Sequence, residues 1–211
     1  MEKVQPLQKN EYEISRFPFA KHLAEALSVN GNSLLDSSAS NNTELLEQAC
    51  ANLGKLRENA MDAMHAGDFQ QTLTEFSIHL AGEHFAEPCY FQKTPSIRLF
   101  FPGMLGTSWH TDNWYGHHEK SRTFWLPLTK VSEGAGVHFI DDPDVLARLE
   151  SGLGKSITLS SINNVCLVHA EEHTAQPGEY LNFSARTLHG SIENRSGSFR
   201  CSIDFLSLIH I

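Results

Sequence analysis

The chain lacks any apolar run near the roughly 18 residues that a membrane-crossing helix needs. Its first residues, MEKVQPLQKNEYE, mix both charges and hold no hydrophobic stretch, so they do not read as a secretory signal. Cysteine is sparse. Cys50, Cys89, Cys166 and Cys201 form no C-x-x-C pair, and their spacing suggests neither a zinc knuckle nor a disulfide framework. Scattered reduced thiols of a cytoplasmic protein are the expectation. Basic residues are outnumbered, 16 Lys and Arg against 25 Asp and Glu, for a formal net charge of -9. No basic cluster follows the pattern of a phosphate backbone, so neither nucleic acid nor membrane is expected as a partner. There is no repeat and no internal linker.

What is present fits one globular domain. A length of 211 residues, 40% of them hydrophobic and 19% charged, supports a sizeable core. The first third reads as helical. Phe19 to Leu27 has apolar residues at helical spacing, and a loop rich in Asn, Ser and Gly follows from about Asn30 to Asn42. Thr43 then precedes Leu45, Leu46, Ala49, Leu53, Leu56, Ala60, Met61 and Met64, the pattern of one long amphipathic helix. Asp68 is the expected cap of another, carrying Leu73, Phe76 and Leu80.

After Pro88 the pattern changes to short strands. Ser96 to Phe101, Arg122 to Leu128, Gly136 to Ile140, Asn164 to Val168 and Glu179 to Phe183 are candidates, as are the stretches around His189 and from Phe199 to Leu208. Asp144 to Leu149 reads as one or two helical turns inside an insertion. Short strands punctuated by Gly and Pro suggest a sandwich or barrel. The expected class is mainly β with N-terminal helices. Residues 1–90 form mostly helical support and residues 91–211 a β-sandwich core, within a single domain spanning 1–211.

Chemistry concentrates in Trp109-His110-Thr111-Asp112 and, far downstream, Leu188-His189-Gly190-Ser191. In a strand, residues two apart point the same way. His110 and Asp112 could therefore aim at one metal from one strand end, with His189 arriving from a strand distant in sequence. Two imidazoles and a carboxylate occupy one face of an octahedral metal and leave the other open, the ligand set of non-haem Fe(II) oxygenases. Arg200 follows His189 after ten intervening residues. It is a bidentate cation for a carboxylate-bearing co-substrate. Ser191 would share the face of His189, and Ser202 that of Arg200. Taken alone, Asp112-Asn113 also reads as a turn and Trp109-His110 as a packed core pair.

These residues resemble the Fe(II)/2-oxoglutarate-dependent dioxygenases, in particular the phytanoyl-CoA dioxygenase-like branch. The matching pieces are Arg98-Leu99-Phe100-Phe101-Pro102-Gly103, Trp109-His110-Thr111-Asp112, Tyr115-Gly116-His117 and Phe124-Trp125-Leu126-Pro127-Leu128-Thr129. Leu188-His189-Gly190-Ser191 and Arg200-Cys201-Ser202-Ile203-Asp204-Phe205 complete them, so that the resemblance covers about residues 95 to 209. It implies a double-stranded β-helix, the jelly-roll, cupin-like sandwich. It implies that His110, Asp112 and His189 hold Fe(II), and that Arg200 pairs with the far carboxylate of 2-oxoglutarate, assisted by Ser191 or Ser202. Thr123 stands where related sequences often carry a polar residue such as Asn facing the co-substrate. The implied activity is hydroxylation of a small molecule by O2 with release of succinate and CO2.

Asn113, Trp114, Tyr115, His117 and Trp125 are candidate substrate contacts, with core or lid packing as the alternative for each. Arg98 and His118 are open as to whether they reach the site. His138, His169 and His173 read as surface or structural histidines. Two other functions share the sandwich. A cupin-like metalloenzyme that does not use 2-oxoglutarate needs no arginine at position 200, and a non-catalytic binding protein needs no intact triad. A nucleic-acid demethylase would carry a second arginine six residues beyond the first, where Leu206 stands. A small polar metabolite or natural-product intermediate is the expected substrate, because polar side chains follow Asp112 directly.

Overall fold

The computed structural model describes residues 7–152 and 159–209. In chain order the elements are β1 (Gln8–Glu11), α1 (Phe19–Leu23), β2 (Ser28–Val29), β3 (Asn32–Ser33), α2 (Thr43–Ala51), α3 (Leu53–His65) and α4 (Gly67–His84). They continue with β4 (Cys89–Phe91), β5 (Ser96–Phe100), a 3-10 turn (Asp112–Tyr115), β6 (Arg122–Pro127), β7 (Val137–Ile140), α5 (Pro143–Gly152) and α6 (Leu159–His169). The last are β8 (Glu171–His173), β9 (Glu179–Ser184), β10 (Leu188–Gly190) and β11 (Arg200–Ile209).

The strands form antiparallel sheets. The larger has the order β1-β9-β6-β11-β4, with β5 sharing the same edge of β11 as β4. A smaller sheet has the order β10-β7-β8. Period two decides what each face of the large sheet meets. Phe124 and Leu126 of β6, Tyr180 of β9, and Cys201, Ile203 and Phe205 of β11 join the core shared with the helices. The alternate residues Trp125, Leu181 and Phe183 turn the other way and pack with Val137 and Phe139 of the small sheet. The helices thus cover one face, and the small sheet covers the other.

Aromatic side chains tie the helical layer to the sheet. Phe76 of α4 contacts Phe17, Phe19, Tyr180 and Phe205, with ring centroids 5.0 to 6.3 Å apart. It is fully buried. Truncating such a residue to alanine costs about 3–5 kcal/mol in a packed core.

Several elements differ from expectation. The predicted helix from Thr43 to Met64 is two helices, broken at Asn52, whose backbone leaves the helical region at φ -108 and ψ 19. Asn42 caps the first, its side chain accepting from Leu45 N at 3.1 Å. α1 ends at Leu23, short of Leu27. Asp68 is not a cap. It lies in the first turn of α4, where its charge meets the positive helix end, and Ala66 occupies the cap position.

The predicted strand from Asn164 to Val168 is part of α6. Ile162 and Cys166, one helical turn apart, pack against Val145 and Leu149 of α5. Leu167 and Val168 point outward, 53% and 80% exposed. A short apolar run does not distinguish the two conformations, and here the contact with α5 decides.

Candidate metal centre and its cavity

Residues 106–110 run alongside β10. Ser191 N donates to Thr107 O, and His110 and His189 exchange both backbone hydrogen bonds, each at 2.9 Å. Residues directly opposite in an antiparallel pair share a face. The two imidazoles therefore stand side by side, ring centroids 4.3 Å apart. Glycine permits this approach. A Cβ on Gly106 would meet Ser191 Cβ at 2.4 Å, and one on Gly190 would meet Trp109 Cα at 3.2 Å. The glycine of Leu188-His189-Gly190-Ser191 thus has a packing reason.

Asp112 is aimed by a turn and not by a strand. The chain is extended at Thr111, enters the 3-10 turn at Asp112, and leaves it through Gly116 at φ +89. One ligand atom each from His110, Asp112 and His189 lie within 4.8 Å of one another, and all three residues are buried. His110 Nε2 is 3.7 Å from Asp112 Oδ1.

The hydrogen bonds around these side chains define which atoms are free. His110 Nδ1 is 2.7 Å from Ser108 O, and His189 Nδ1 is 2.9 Å from Thr187 O. A carbonyl only accepts, so both Nδ1 atoms donate and both Nε2 lone pairs face inward. Burial pushes His189 below its ordinary value; Asp112 opposes this and His110 adds to it. The neutral imidazole is the form that binds metal. Thr123 Oγ1 donates to Asp112 Oδ2, which leaves Oδ1 on the histidine side. Two imidazole nitrogens and one carboxylate oxygen converging from one side suit a divalent first-row metal.

Beside these atoms lies an inner cavity of about 50 Å³, continuous with an outer cleft of about 300 Å³ that shares His110, Asp112, Thr107, Arg98 and Asp204 with it. Trp125, Val137, Phe183 and Ser191 wall the inner cavity, with Arg200 in its lining. Arg200 is 3% exposed. Its guanidinium lies 4.4 Å from the Phe100 ring centroid and 5.7 Å from that of Trp125. One terminal nitrogen donates to Ala135 O at 2.6 Å and Gly136 O at 3.2 Å, while Nε is buried without a partner. No carboxylate among the described residues pairs with it. Burial pulls its pKa down to about 10, which still leaves it cationic at neutral pH. A buried cation with no carboxylate in contact favours an incoming anion.

The other expected residues divide. Thr123, Trp125 and Ser191 line the inner cavity, while Tyr115 and His117 line the outer cleft. The Tyr115 ring stands edge-on to His110, centroids 5.3 Å apart. Arg98 reaches both spaces. Thr123 bonds the Asp112 carboxylate. Ser202 lies outside both linings; its Oγ accepts from Trp125 Nε1 at 3.1 Å and so orients the indole.

Asn113 and Trp114 also lie outside. Asn113 is exposed and donates to His117 O at 2.9 Å, bracing the turn, and Trp114 packs beside α5 and α6. His118 is exposed, its Nδ1 accepting from Lys120 N. His138 is buried beside Trp109, His173 packs edge-on to Phe139, and His169 approaches Asp142 at 3.8 Å, all as structural or surface residues. Asp204 and Thr107 line both spaces without having been singled out. Period two along β11 carried a signal for Asp204, which shares a face with Arg200 and Ser202.

No family model matches the chain. A curated relative, the streptomycin biosynthesis protein StrG of Streptomyces griseus, is 25% identical over 121 residues, 56% of this chain. The chain matches 46% of that relative, less than half of its length. Among solved structures, AviO1 from Streptomyces viridochromogenes Tue57 superposes with a TM-score of 0.50 at 14% identity, covering 97% of this chain and 90% of that one. The likeness to AviO1 is one of fold. The non-heme alpha ketoglutarate dependent carbocyclase SnoK from nogalamycin biosynthesis gives a TM-score of 0.45 at 18% identity, over 65% of this chain and 55% of that one.

Proposed function

We propose that the chain is a non-haem Fe(II)/2-oxoglutarate-dependent dioxygenase of the phytanoyl-CoA dioxygenase-like kind, its two facing sheets forming a jelly-roll. It hydroxylates a small polar metabolite or natural-product intermediate. A natural-product substrate accords with the pathway named for StrG. The observation that carries the reading is the pairing of two features in one cavity. Three inward-facing donors of the right types stand at one place, and a buried arginine without a carboxylate partner stands in the same lining.

His110 Nε2, His189 Nε2 and Asp112 Oδ1 would hold the iron. Bound there with 2-oxoglutarate, Fe(II) supplies oxidation of a C–H bond by O2, with succinate and CO2 as co-products. Arg200 fixes the far carboxylate of the co-substrate, and Ser191 adds a hydroxyl beside it. Thr123 holds one Asp112 oxygen so that the other remains directed at the histidines. Phe183, Val137 and Trp125 keep the inner end apolar, which strengthens the charge pairing and excludes water. Four unpaired cysteines accord with a cytoplasmic location. No helix among the described residues is long and apolar enough to cross a membrane.

The test is metal content together with turnover. Purified protein reconstituted with Fe(II) should bind one ion per chain and consume 2-oxoglutarate with release of succinate. Metal bound without any binding of 2-oxoglutarate would instead favour a metalloenzyme that does not use this co-substrate.

A further inference from the structure

An ion pair, Arg98 with Asp204, stands where the outer cleft meets the inner cavity. Arg98 Nε donates to Asp204 Oδ1 at 3.0 Å, and a terminal nitrogen of Arg98 lies 3.5 Å from Oδ2. Arg98 of β5 and Asp204 of β11 come from paired strands, two residues apart in register, and both line both spaces. Asp204 pushes the Arg98 guanidinium upward against the effect of burial. Around it, Gln92, Ser96, Thr107, Tyr115 and His117 offer amide, hydroxyl and imidazole groups, and Leu206 is the aliphatic exception.

We propose that this cleft takes a neutral polyhydroxylated ring as substrate, recognised by the Arg98–Asp204 pair. The inference rests on the oxygenase reading of the adjoining metal centre. An anionic substrate would compete with Asp204 for Arg98, and a cationic one would compete with Arg98 for Asp204. Either leaves a half-buried charge without its partner. A hydroxyl both donates and accepts. It takes an N–H from the guanidinium or gives a proton to the carboxylate without breaking the pair, and neighbouring hydroxyls can do both. Gln92 Oε1 has no hydrogen-bond partner. An apolar ring would leave these groups unsatisfied, which is the basis on which polar sites reject deoxygenated analogues. The volume of about 300 Å³ is at the lower end for small-molecule sites and suits a single substituted ring, not a long acyl chain.

The experiment uses the full chain loaded with Mn(II) and 2-oxoglutarate. Binding of each is recorded first, by electron paramagnetic resonance and by calorimetry. Myo-inositol, cyclohexanol and glucuronate are then titrated separately, and paramagnetic broadening of their proton signals is followed. Myo-inositol should bind at least about tenfold more tightly than either comparator. Gln92→Leu should weaken it about three- to tenfold, the loss of one uncharged hydrogen bond, and Asp204→Asn about ten- to a hundredfold, the loss of one to a charged group, with Mn(II) and 2-oxoglutarate affinities unchanged. Absence of myo-inositol binding, equal binding of cyclohexanol or glucuronate, or unaltered affinity in both variants overturns the proposal. Failure of Mn(II) or 2-oxoglutarate to bind overturns the oxygenase reading instead.

Discussion

Glu172 and Arg200 both hydrogen-bond the backbone of one turn, residues 134–136. The Glu172 carboxylate accepts from Gly134 N at 2.8 Å and Gly136 N at 2.6 Å. The Arg200 guanidinium donates to the carbonyls of Ala135 and Gly136. Position 136 has no room for a side chain, since a Cβ there would meet His173 O at 2.6 Å. The turn therefore links a carboxylate on β8 to the buried arginine on β11. Glu172→Ala should loosen the turn and weaken 2-oxoglutarate binding about three- to tenfold, part of the roughly 1.5–3 kcal/mol of a hydrogen bond to a charged group. Metal affinity should not change. Calorimetric titration of the variant checks this. Unchanged 2-oxoglutarate affinity with a lowered melting temperature would reduce Glu172 to a purely structural role.

Arg200→Ala should have the larger effect. Breaking one side of a buried charge-assisted pair costs about 2–5 kcal/mol, on the order of a 30- to several-thousand-fold loss in affinity. Arg200→Lys keeps the charge but loses the planar fork and its stacking on Phe100, so it should recover only part of the loss. Titration of 2-oxoglutarate against the metal-loaded variants decides. Wild-type affinity in Arg200→Ala would remove the arginine clamp from the mechanism.

His110→Ala, Asp112→Ala and His189→Ala should each abolish turnover. Thr123→Val is the more informative change. It keeps the shape of the side chain and removes the hydrogen bond to Asp112 Oδ2. Outer partners of metal ligands are worth about 10–100-fold in affinity or activity, and that range is expected here. Equilibrium dialysis with Mn(II) measures it. A variant binding metal as tightly as wild type would show that Asp112 is oriented without Thr123.

The residues that meet at the cavity were legible because their chemistry restricts residue type. Few alternatives to two histidines, a carboxylate and an arginine bind a metal and a carboxylate, so His110, Asp112, His189 and Arg200 stood out despite wide separation. Thr123, expected from the family resemblance, and Trp125 both line the inner cavity, two residues apart on β6. Asn113 and Trp114 fall outside both linings because a 3-10 turn sends successive side chains in different directions, whatever their nearness to Asp112. Glu172 left no mark, since its role depends on a turn far away in sequence. The same holds for the fold. Short apolar runs punctuated by Gly and Pro identified β6, β7 and β9, whereas the helical state of 164–168 depends on contact with α5.

The interface between α4 and the large sheet should weaken in mild acid. His84 lies 2.8 Å from the Tyr180 hydroxyl through Nε2 and 3.1 Å from Asn182 Nδ2 through Nδ1. Asn182 Oδ1 is already taken by Arg122 Nε, which fixes the amide with its NH2 towards His84. His84 Nδ1 must therefore accept, and the ring must be neutral. Burial lowers its pKa, Arg122 and His79 lower it further, and Glu83 opposes them. The unfolded chain, with histidine near its ordinary value of about 6.5, then binds the proton more readily than the folded one. Stability is retained above that pH and falls as the pH drops from about 6.5 through the depressed folded value. His138, depressed by its own burial, adds a slope of the same sign. His84→Gln removes the contribution of His84 and keeps a polar side chain at the interface. Between about pH 7 and pH 5 its melting temperature should fall less than that of wild type, with His138 and His189 contributing equally to both proteins. Parallel pH curves for the two would show that His84 does not titrate against folding.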